Sequence, residues 1–176
     1  MELTALVLTA SDRSAAGSRE DASGALLEAR LMELGFSVER VVVPDDRPTI
    51  ERTLVEGAGR HRLVVTTGGT GLTPRDVTPQ ATSAIVDYEV PGIAEAMREA
   101  GRRKTPMASL SRGIVGVRGG SLIVNLPGSP RGALESFEAV EPILAHALET
   151  LAGPFDHAAQ AGRPDLPAGE PDPRAQ

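Results

Sequence analysis

Cysteine is absent from the 176-residue sequence, and aromatic residues are nearly so, with one tyrosine, three phenylalanines and no tryptophan. Without cysteine the chain has no disulfide, thiolate nucleophile, zinc ribbon or iron–sulfur cluster. With so few aromatic rings, stacking of nucleic-acid bases on an aromatic platform is nearly excluded. These absences remove several common classes of redox, metal-binding and nucleic-acid-binding protein.

Positive charge is also scarce, because 18 basic side chains face 24 acidic ones and give a net charge of −6. Such a chain lacks the basic footprint of a general nucleic-acid-binding protein. No apolar run is long enough to span a bilayer, and the N-terminus lacks a basic stretch followed by an apolar core. We therefore expect a cytoplasmic protein with no nucleic-acid partner and no membrane partner.

The composition changes after Leu151. Residues 153–176 contain five of the 14 prolines and no valine or isoleucine. A segment so poor in apolar residues cannot offset the entropy lost on ordering. The sequence therefore predicts one folded domain over residues 1–152, followed by a mostly disordered tail over residues 153–176.

Strand and helix signals alternate along the folded part. Short apolar runs predict strands, the last two as a hairpin or strand pair, at 3–9, 38–43, 63–67, 114–117 and 122–126. Thr78 followed by proline predicts the N-cap of a helix that reaches about Tyr88, and Ser129 followed by proline predicts another. The final apolar stripe predicts one long helix kinked at Pro142. The alternation predicts a three-layer α/β/α sandwich with a mostly parallel, Rossmann-like sheet.

Polar groups collect where the predicted strands end. Ligands of parallel sheets bind beyond the carboxyl ends of the strands. Glycine, hydroxyl or carboxylate groups occur at four of these ends: 9–13, 44–46, 66–71 and 125–129. Because parallel strands bring such ends to one edge, the sequence predicts a polar site there.

A glycine-rich segment, residues 68–71, directly follows the third predicted strand. Glycines let backbone N–H groups approach an anion closely. The segment is neither a P-loop nor a dinucleotide fingerprint, and alone it is more typical of a turn. The nearby Asp76 favours a site, because a carboxylate beside a phosphate loop could hold a divalent cation. Its alternative role is that of a capping or turn aspartate.

Two adjacent aspartates, Asp45 and Asp46, end the second predicted strand. They could stabilise the start of the next helix. One of them could instead reach a cation near Asp76, since neighbouring strand ends lie side by side. We favour Asp45, although spacing alone does not separate it from Asp46. The three histidines are far apart in sequence, and none is expected to be a ligand or base.

The sequence VVTTGGTG at 64–71, followed by PRDVTPQAT at 74–82, closely resembles the signature of the molybdenum-cofactor biosynthesis proteins. This family includes molybdopterin adenylyltransferases and the G domain of gephyrin. Supporting matches occur in the family's order at 11–13, 43–46, 110–112 and 122–129. The resemblance covers about residues 4–151.

The resemblance implies a three-layer α/β fold, usually assembled as a homotrimer. It implies transfer of AMP from ATP, with Mg²⁺, to the terminal phosphate of molybdopterin, releasing pyrophosphate. The adenylated product would pass to a molybdate-inserting enzyme. The family also contains a sister group, so the alternative is a protein that binds molybdopterin or a nucleotide without turnover.

The family's two functional aspartates fall on Asp45 and Asp76, which the resemblance implies as the catalytic and Mg²⁺-binding residues. A family aspartate before the first helix has Asp21 as its candidate match, which we leave outside the predicted set. The remaining residues implied to bind nucleotide or pterin are Ser11, Asp12, Gly68, Gly69, Thr70, Gly71, Arg75, Ser111, Asn125, Pro127, Gly128 and Ser129.

Overall fold

Apolar segments of the sequence form one six-stranded sheet in the computed structural model, which describes residues 3–153. The strands are β1 (Thr4–Ala10), β2 (Ser37–Val43), β3 (Leu63–Thr67), β4 (Tyr88–Glu89), β5 (Val115–Arg118) and β6 (Ser121–Leu126). Their order across the sheet is β2-β1-β3-β6-β5-β4. The first four are parallel, whereas β5 pairs antiparallel with both β6 and β4.

Helices cover both faces of this sheet. They are α1 (Asp12–Ala15), α2 (Ala22–Glu33), α3 (Arg47–Arg60), α4 (Thr78–Ile85), α5 (Pro91–Arg102), α6 (Pro130–Glu138) and α7 (Glu141–Leu151), with a short 3-10 helix at Pro106–Leu110. Within residues 3–153, no helix combines the length and apolarity needed to cross a membrane.

Alternation along β1 explains why the core has two halves. Ala5 and Val7 pack into one apolar cluster with residues of α2, α5, α6 and α7. Leu6 and Leu8 pack into the other with residues of α3 and α4. Because successive side chains of a strand point to opposite faces, an all-apolar strand needs helices on both sides. The predicted three-layer, mostly parallel sandwich is confirmed.

Two helix predictions were wrong in detail. Val77, not Thr78, is the N-cap of α4, and the buried Thr78 hydroxyl has no hydrogen-bond partner among the described residues. The helix ends at Ile85, because the chain turns to form the short strand β4. The predicted long final helix is two helices, α6 and α7, with Pro142 in the first turn of α7. Proline has no N–H to continue a helix, but it fits a first turn.

The strand order reverses between β1 and β3. The chain moves from β1 to β2 on one side, whereas β3 has β6 on its other side. The loops after β1 and β3 therefore diverge and leave a crevice at the carboxyl edge, the usual ligand position in such sheets. The predicted tail lies outside the described residues, except for Gly153.

Gly68 provides a test of how tightly this edge is packed. It has a φ of +96°, and an added Cβ would lie 2.3 Å from the carbonyl oxygen of Ala10. We expect Gly68→Ala to lower the free energy of unfolding by about 2 kcal/mol or more. The control is Gly59→Ala in α3, where the added Cβ meets nothing within 4 Å, and it should raise stability by about 0.5–1 kcal/mol. Urea unfolding measures both changes in the free energy of unfolding. Equal changes in the two variants would contradict the tight packing described at Gly68.

Candidate active site

A cavity of about 370 Å³ opens at the point where the strand order reverses. We call it the main cavity. Its walls come from the end of β1, the loop after β3, the start of α6, and the segment before α2. The predicted site residues that line it are Ser11, Asp45, Gly68, Gly69, Asp76, Gly128 and Ser129. The topology therefore brings together residues from four separate strand ends.

Asp12 and Asp45 hold the ends of β1 and β2 together by reciprocal hydrogen bonds. The backbone N–H of Asp12 donates to Asp45 Oδ2 at 3.0 Å, and the backbone N–H of Asp45 donates to Asp12 Oδ1 at 3.0 Å. Arg75 donates to the other oxygen of Asp12. Asp12 and Arg75 do not line the main cavity, but they fix the backbone that presents Asp45 to it.

The charges around Asp45 are unbalanced. Burial raises the pKa of Asp45 above its ordinary value, and the negative charges of Asp12 and Asp76 act in the same direction. The hydrogen bond from Arg75 instead lowers the pKa of Asp12. Asp45 is therefore a carboxylate whose ionised form is disfavoured by its surroundings, and a bound cation would relieve this.

Asp46, the neighbour of Asp45, has a different role in the fold. Its Oδ2 accepts hydrogen bonds from the backbone N–H and the hydroxyl of Thr49, at 3.1 and 2.6 Å. It is the N-cap of α3, and the hydrogen bonds from Thr49 lower its pKa. Of the two adjacent aspartates, Asp45 is the one that lines the main cavity, and Asp46 is engaged in capping.

The carboxylate of Asp76 is held by hydrogen bonds from its own loop. Its Oδ2 accepts a hydrogen bond from the backbone N–H of Thr73 at 2.7 Å. Burial raises its pKa, but the hydrogen bonds from Thr73 and Gly71 and the charge of Arg112 outweigh this and leave the pKa below its ordinary value. A Cβ on Gly71 would lie 3.0 Å from Asp76 Oδ2, so a larger residue would crowd this carboxylate. The ionised form of Asp76 is thus maintained at the cavity wall.

The other walls offer backbone donors for an anion. Gly69 has a φ of +65°, and its missing Cβ would lie 3.5 Å from Asp45 Oδ1, so the loop backbone passes close to the carboxylate. Ser129 is the N-cap of α6, and its hydroxyl accepts from the backbone N–H of Gly132 at 3.2 Å. Pro130 has no N–H, and those of Gly132 and Ala133 donate to Ser129, so the N–H of Arg131 and the helix dipole favour an anion at this end of α6.

A second cavity of about 270 Å³ adjoins the first, and Ser129 lines both. It contains four predicted residues that the main cavity does not: Thr70, Gly71, Ser111 and Pro127. Its wall also includes two exposed apolar side chains, Met107 and Leu110. The predicted site residues are thus divided between two neighbouring cavities.

Asn125, like Asp12 and Arg75, is a predicted residue that lines neither cavity. Its side chain is 1% exposed, and its amide donates to the hydroxyls of Thr66 and Thr82 at 3.1 and 2.9 Å. Its Oδ1 accepts from the backbone N–H of Ile114 at 3.4 Å. Asn125 therefore ties β6 to β3 and α4.

The site also contains residues outside the predicted set. Thr9 and Asp21 line the main cavity, together with Arg19 and Glu20, and a 2.9 Å hydrogen bond runs from the Thr9 hydroxyl to Asp21. Asp21, the candidate family match left outside the set, also caps α2 by accepting from the backbone N–H of Gly24. Arg112 contacts the loop that carries Asp76 and lies in the family match at 110–112.

The donor set suits a magnesium ion that is shared with a phosphate ligand. Among the described residues, no group of three or more His, Cys, Asp or Glu side chains could hold a metal. Magnesium nevertheless often takes only one or two protein carboxylates and completes its shell with phosphate oxygens and water. Asp45 and Asp76 fit that requirement, because both line the main cavity and the negative charge of Asp76 helps to raise the pKa of Asp45.

A parallel sheet with a glycine loop, a helix start and two carboxylates at its switch point defines an α/β protein suited to phosphorylated ligands. The family described as a probable molybdopterin binding domain matches residues 6–146. The chain belongs to this family.

Several relatives span nearly the same length. A molybdopterin adenylyltransferase of Helicobacter pylori is 40% identical over 156 residues, covering 85% of this chain and 88% of the relative. That of Escherichia coli K12 is 40% identical over 140 residues, covering 77% and 72%. The molybdopterin biosynthesis enzyme MoaB from Thermus thermophilus is 50% identical in sequence to this chain. Its crystal structure matches with a TM-score of 0.81, covering 86% of this chain and 98% of that one.

Neutralising the adjacent aspartates Asp45 and Asp46 should change the stability of the protein in opposite directions. The pKa of Asp45 is raised in the fold, so Asp45→Asn should stabilise the protein at pH 7 by about 0.5 kcal/mol, the scale of a partly exposed charge. The gain should disappear as the pH falls to the ordinary value of 3.8, where the wild-type carboxyl becomes protonated.

Asp46→Asn is the matched control. The pKa of Asp46 is lowered in the fold, so its contribution to stability is present at pH 7 and is lost on neutralisation. Thermal unfolding of both variants across pH 3–7 measures the difference. A loss of stability in Asp45→Asn at pH 7 would contradict the electrostatic description of the main cavity.

Proposed function

We propose that this protein is a molybdopterin adenylyltransferase, which transfers AMP from ATP to the terminal phosphate of molybdopterin and releases pyrophosphate. The observation that carries the proposal is the meeting of Asp45, Asp76, the glycine loop and the start of α6 in one cavity. Membership of a family whose curated relatives carry this name supports it.

Two adjoining cavities suit a reaction with two substrates. The main cavity has the carboxylates, and the second has a more apolar wall, with Ser129 lining both. A phosphate oxygen of the pterin would attack the α-phosphorus of ATP in the region between them. The bond from the α-phosphorus to the oxygen bridging to the β-phosphorus would break, and pyrophosphate would leave. Such transfers need mainly positioning and charge stabilisation from the protein.

Asp45 and Asp76 would hold Mg²⁺, which when bound neutralises the charge of the ATP phosphates. Anion binding must otherwise be local, because the net charge of the chain is −6. Backbone N–H groups of the glycine loop and the first turn of α6 would supply it. With three phenylalanines and one tyrosine in the chain, the adenine and pterin rings would be held mainly by backbone, aliphatic and polar contacts.

The proposal extends to assembly and location. By resemblance to the family, the protein would act in the cytoplasm as a homotrimer and hand the adenylated pterin to a molybdate-inserting enzyme. The product retains a phosphoric anhydride bond between pterin phosphate and AMP, so a following reaction that cleaves this bond could drive metal insertion.

A second candidate function is binding of molybdopterin or a nucleotide without adenylyl transfer. The observation that favours it is the 50% identity to the Thermus thermophilus molybdopterin biosynthesis enzyme MoaB, a name that does not specify adenylyl transfer. The relatives named adenylyltransferases are 40–43% identical. Incubation with ATP, Mg²⁺ and molybdopterin separates the two functions, because only the first predicts release of pyrophosphate.

Asp76→Asn should reduce pyrophosphate release by about 100-fold or more, because loss of a charge that acts at the reacting phosphates has effects of this size. The asparagine can still accept a hydrogen bond from Thr73, so the loop should stay folded. Asp87→Asn is the control, since Asp87 also accepts a backbone N–H, from Gly119 at 2.8 Å, but outside both cavities. Wild-type turnover in Asp76→Asn would refute the catalytic assignment of Asp76.

A further inference from the structure

Arg112 makes all of its described hydrogen bonds to one loop. Its backbone N–H donates to the carbonyl oxygen of Thr70 at 3.0 Å. Its guanidinium donates to the carbonyl oxygens of Gly71 and Asp76, at 2.7 and 2.5 Å. We call residues 70–76 the bridging loop. Arg112 therefore clamps both ends of the bridging loop with a single residue.

The two ends of the bridging loop serve different cavities. Thr70 and Gly71 line the second cavity, whereas Asp76 lines the main cavity. The middle of the loop lies at the surface, where the Leu72 side chain is 64% exposed. Within the loop, Thr73 and Gly71 also donate hydrogen bonds to the Asp76 carboxylate, and Arg75 donates to Asp12 outside it. The two loop ends are therefore joined by the Gly71–Asp76 bond and, from outside the loop, by Arg112.

The charge of Arg112 is directed toward the loop. Arg112 forms no ion pair with any carboxylate in residues 3–153, and its half-buried guanidinium is solvated by the two carbonyl oxygens. A lysine could supply the charge, but its single ammonium lacks the planar fork that reaches two separate carbonyls.

Building on the proposed function, we propose that Arg112 is a positioning residue that fixes the spacing between the two substrate cavities by clamping the bridging loop. In an in-line transfer, the attacking phosphate and the α-phosphorus must meet at a set distance. A misplacement of about 1 Å can lower the rate by about 100-fold. Arg112 acts on this distance without touching either substrate.

The test compares Arg112→Lys and Arg112→Gln with Arg118→Lys in the full chain. Arg118 is a matched control, because its guanidinium also donates to a backbone carbonyl, that of Ile85, which lines neither cavity. Arg112→Lys should lower kcat for pyrophosphate release by about 10-fold or more, with a change of less than about threefold in KM for ATP. Arg118→Lys should leave both constants near wild type.

One readout does not need turnover. Hydrogen exchange of the amides of residues 71–73, 75 and 76 should become about 10-fold faster in both Arg112 variants. A purely structural role would lower the melting temperature without separating kcat from KM. If Arg112→Gln does not fold, the hydrogen exchange and the kinetics of Arg112→Lys decide whether the inference holds.

Either of two results in Arg112→Lys would overturn the inference. One is unchanged hydrogen exchange of the loop amides in residues 71–76. The other is a change of kcat and KM in the same proportion as in Arg118→Lys. Its failure is distinguishable from failure of the proposed function. If the wild-type protein releases no pyrophosphate, the adenylyltransferase proposal fails. The exchange data would still decide whether Arg112 clamps the bridging loop.

Discussion

The whole site depends on the register of four parallel strands, β2, β1, β3 and β6, which aligns their carboxyl ends. Ala10 of β1 is paired with Val43 of β2, and Thr9 is paired with Thr67 of β3. Thr67 is in turn paired with Leu126 of β6. Because these strands end at one level, the residues that follow them enter solvent side by side. A shift of register in one strand would separate carboxylates from the glycine loop even if every helix stayed in place.

Gly68 allows β3 to end beside the ends of β1 and β6. Between the ends of β1 and β6 there is no room for a side chain at Gly68, since its Cβ would meet the carbonyl oxygen of Ala10, and a Cβ on Gly128 would lie 3.1 Å from the Gly68 Cα. The close approach leaves glycine backbone, rather than side chains, at the floor of the main cavity, and the Gly68 N–H itself donates to the carbonyl oxygen of Leu126. Such a floor lets a ligand approach the backbone closely.

Sequence reasoning predicted the parts of the fold that local patterns determine. Apolar runs located five of the six strands described in residues 3–153, and Ser129 followed by proline located the start of α6. The two-residue strand β4 was missed, because Tyr88 was predicted as the end of a helix. The same cap pattern failed at Thr78, because the capping position is Val77 and the Thr78 backbone N–H donates to the carbonyl of Gly69. Local sequence does not encode that long-range contact.

The site shows the same division between local and distant causes. Asp45 and Asp46 are indistinguishable by spacing, and only the hydrogen bonds of Asp46 with Thr49 and of Asp45 with Asp12 separate their roles. Asn125 follows the family motif, but its burial gives it a role inside the fold. Arg112 lies 36 residues from Asp76 in sequence, so their contact follows from the packing of the loops alone.

The main cavity holds Asp45 in surroundings that disfavour its ionised form. Burial and the negative charges of Asp12 and Asp76 raise its pKa, and the charge of Arg75, whose hydrogen bond goes to Asp12, offsets this only in part. Arg19 also lines the cavity, and the guanidinium of Arg112 is bound to loop carbonyls. Functional sites commonly retain such unfavourable arrangements, since a partner that neutralised the charge within the protein would remove the affinity for a ligand that does the same. The imbalance is therefore what makes this edge of the sheet able to take up a cation together with phosphate groups.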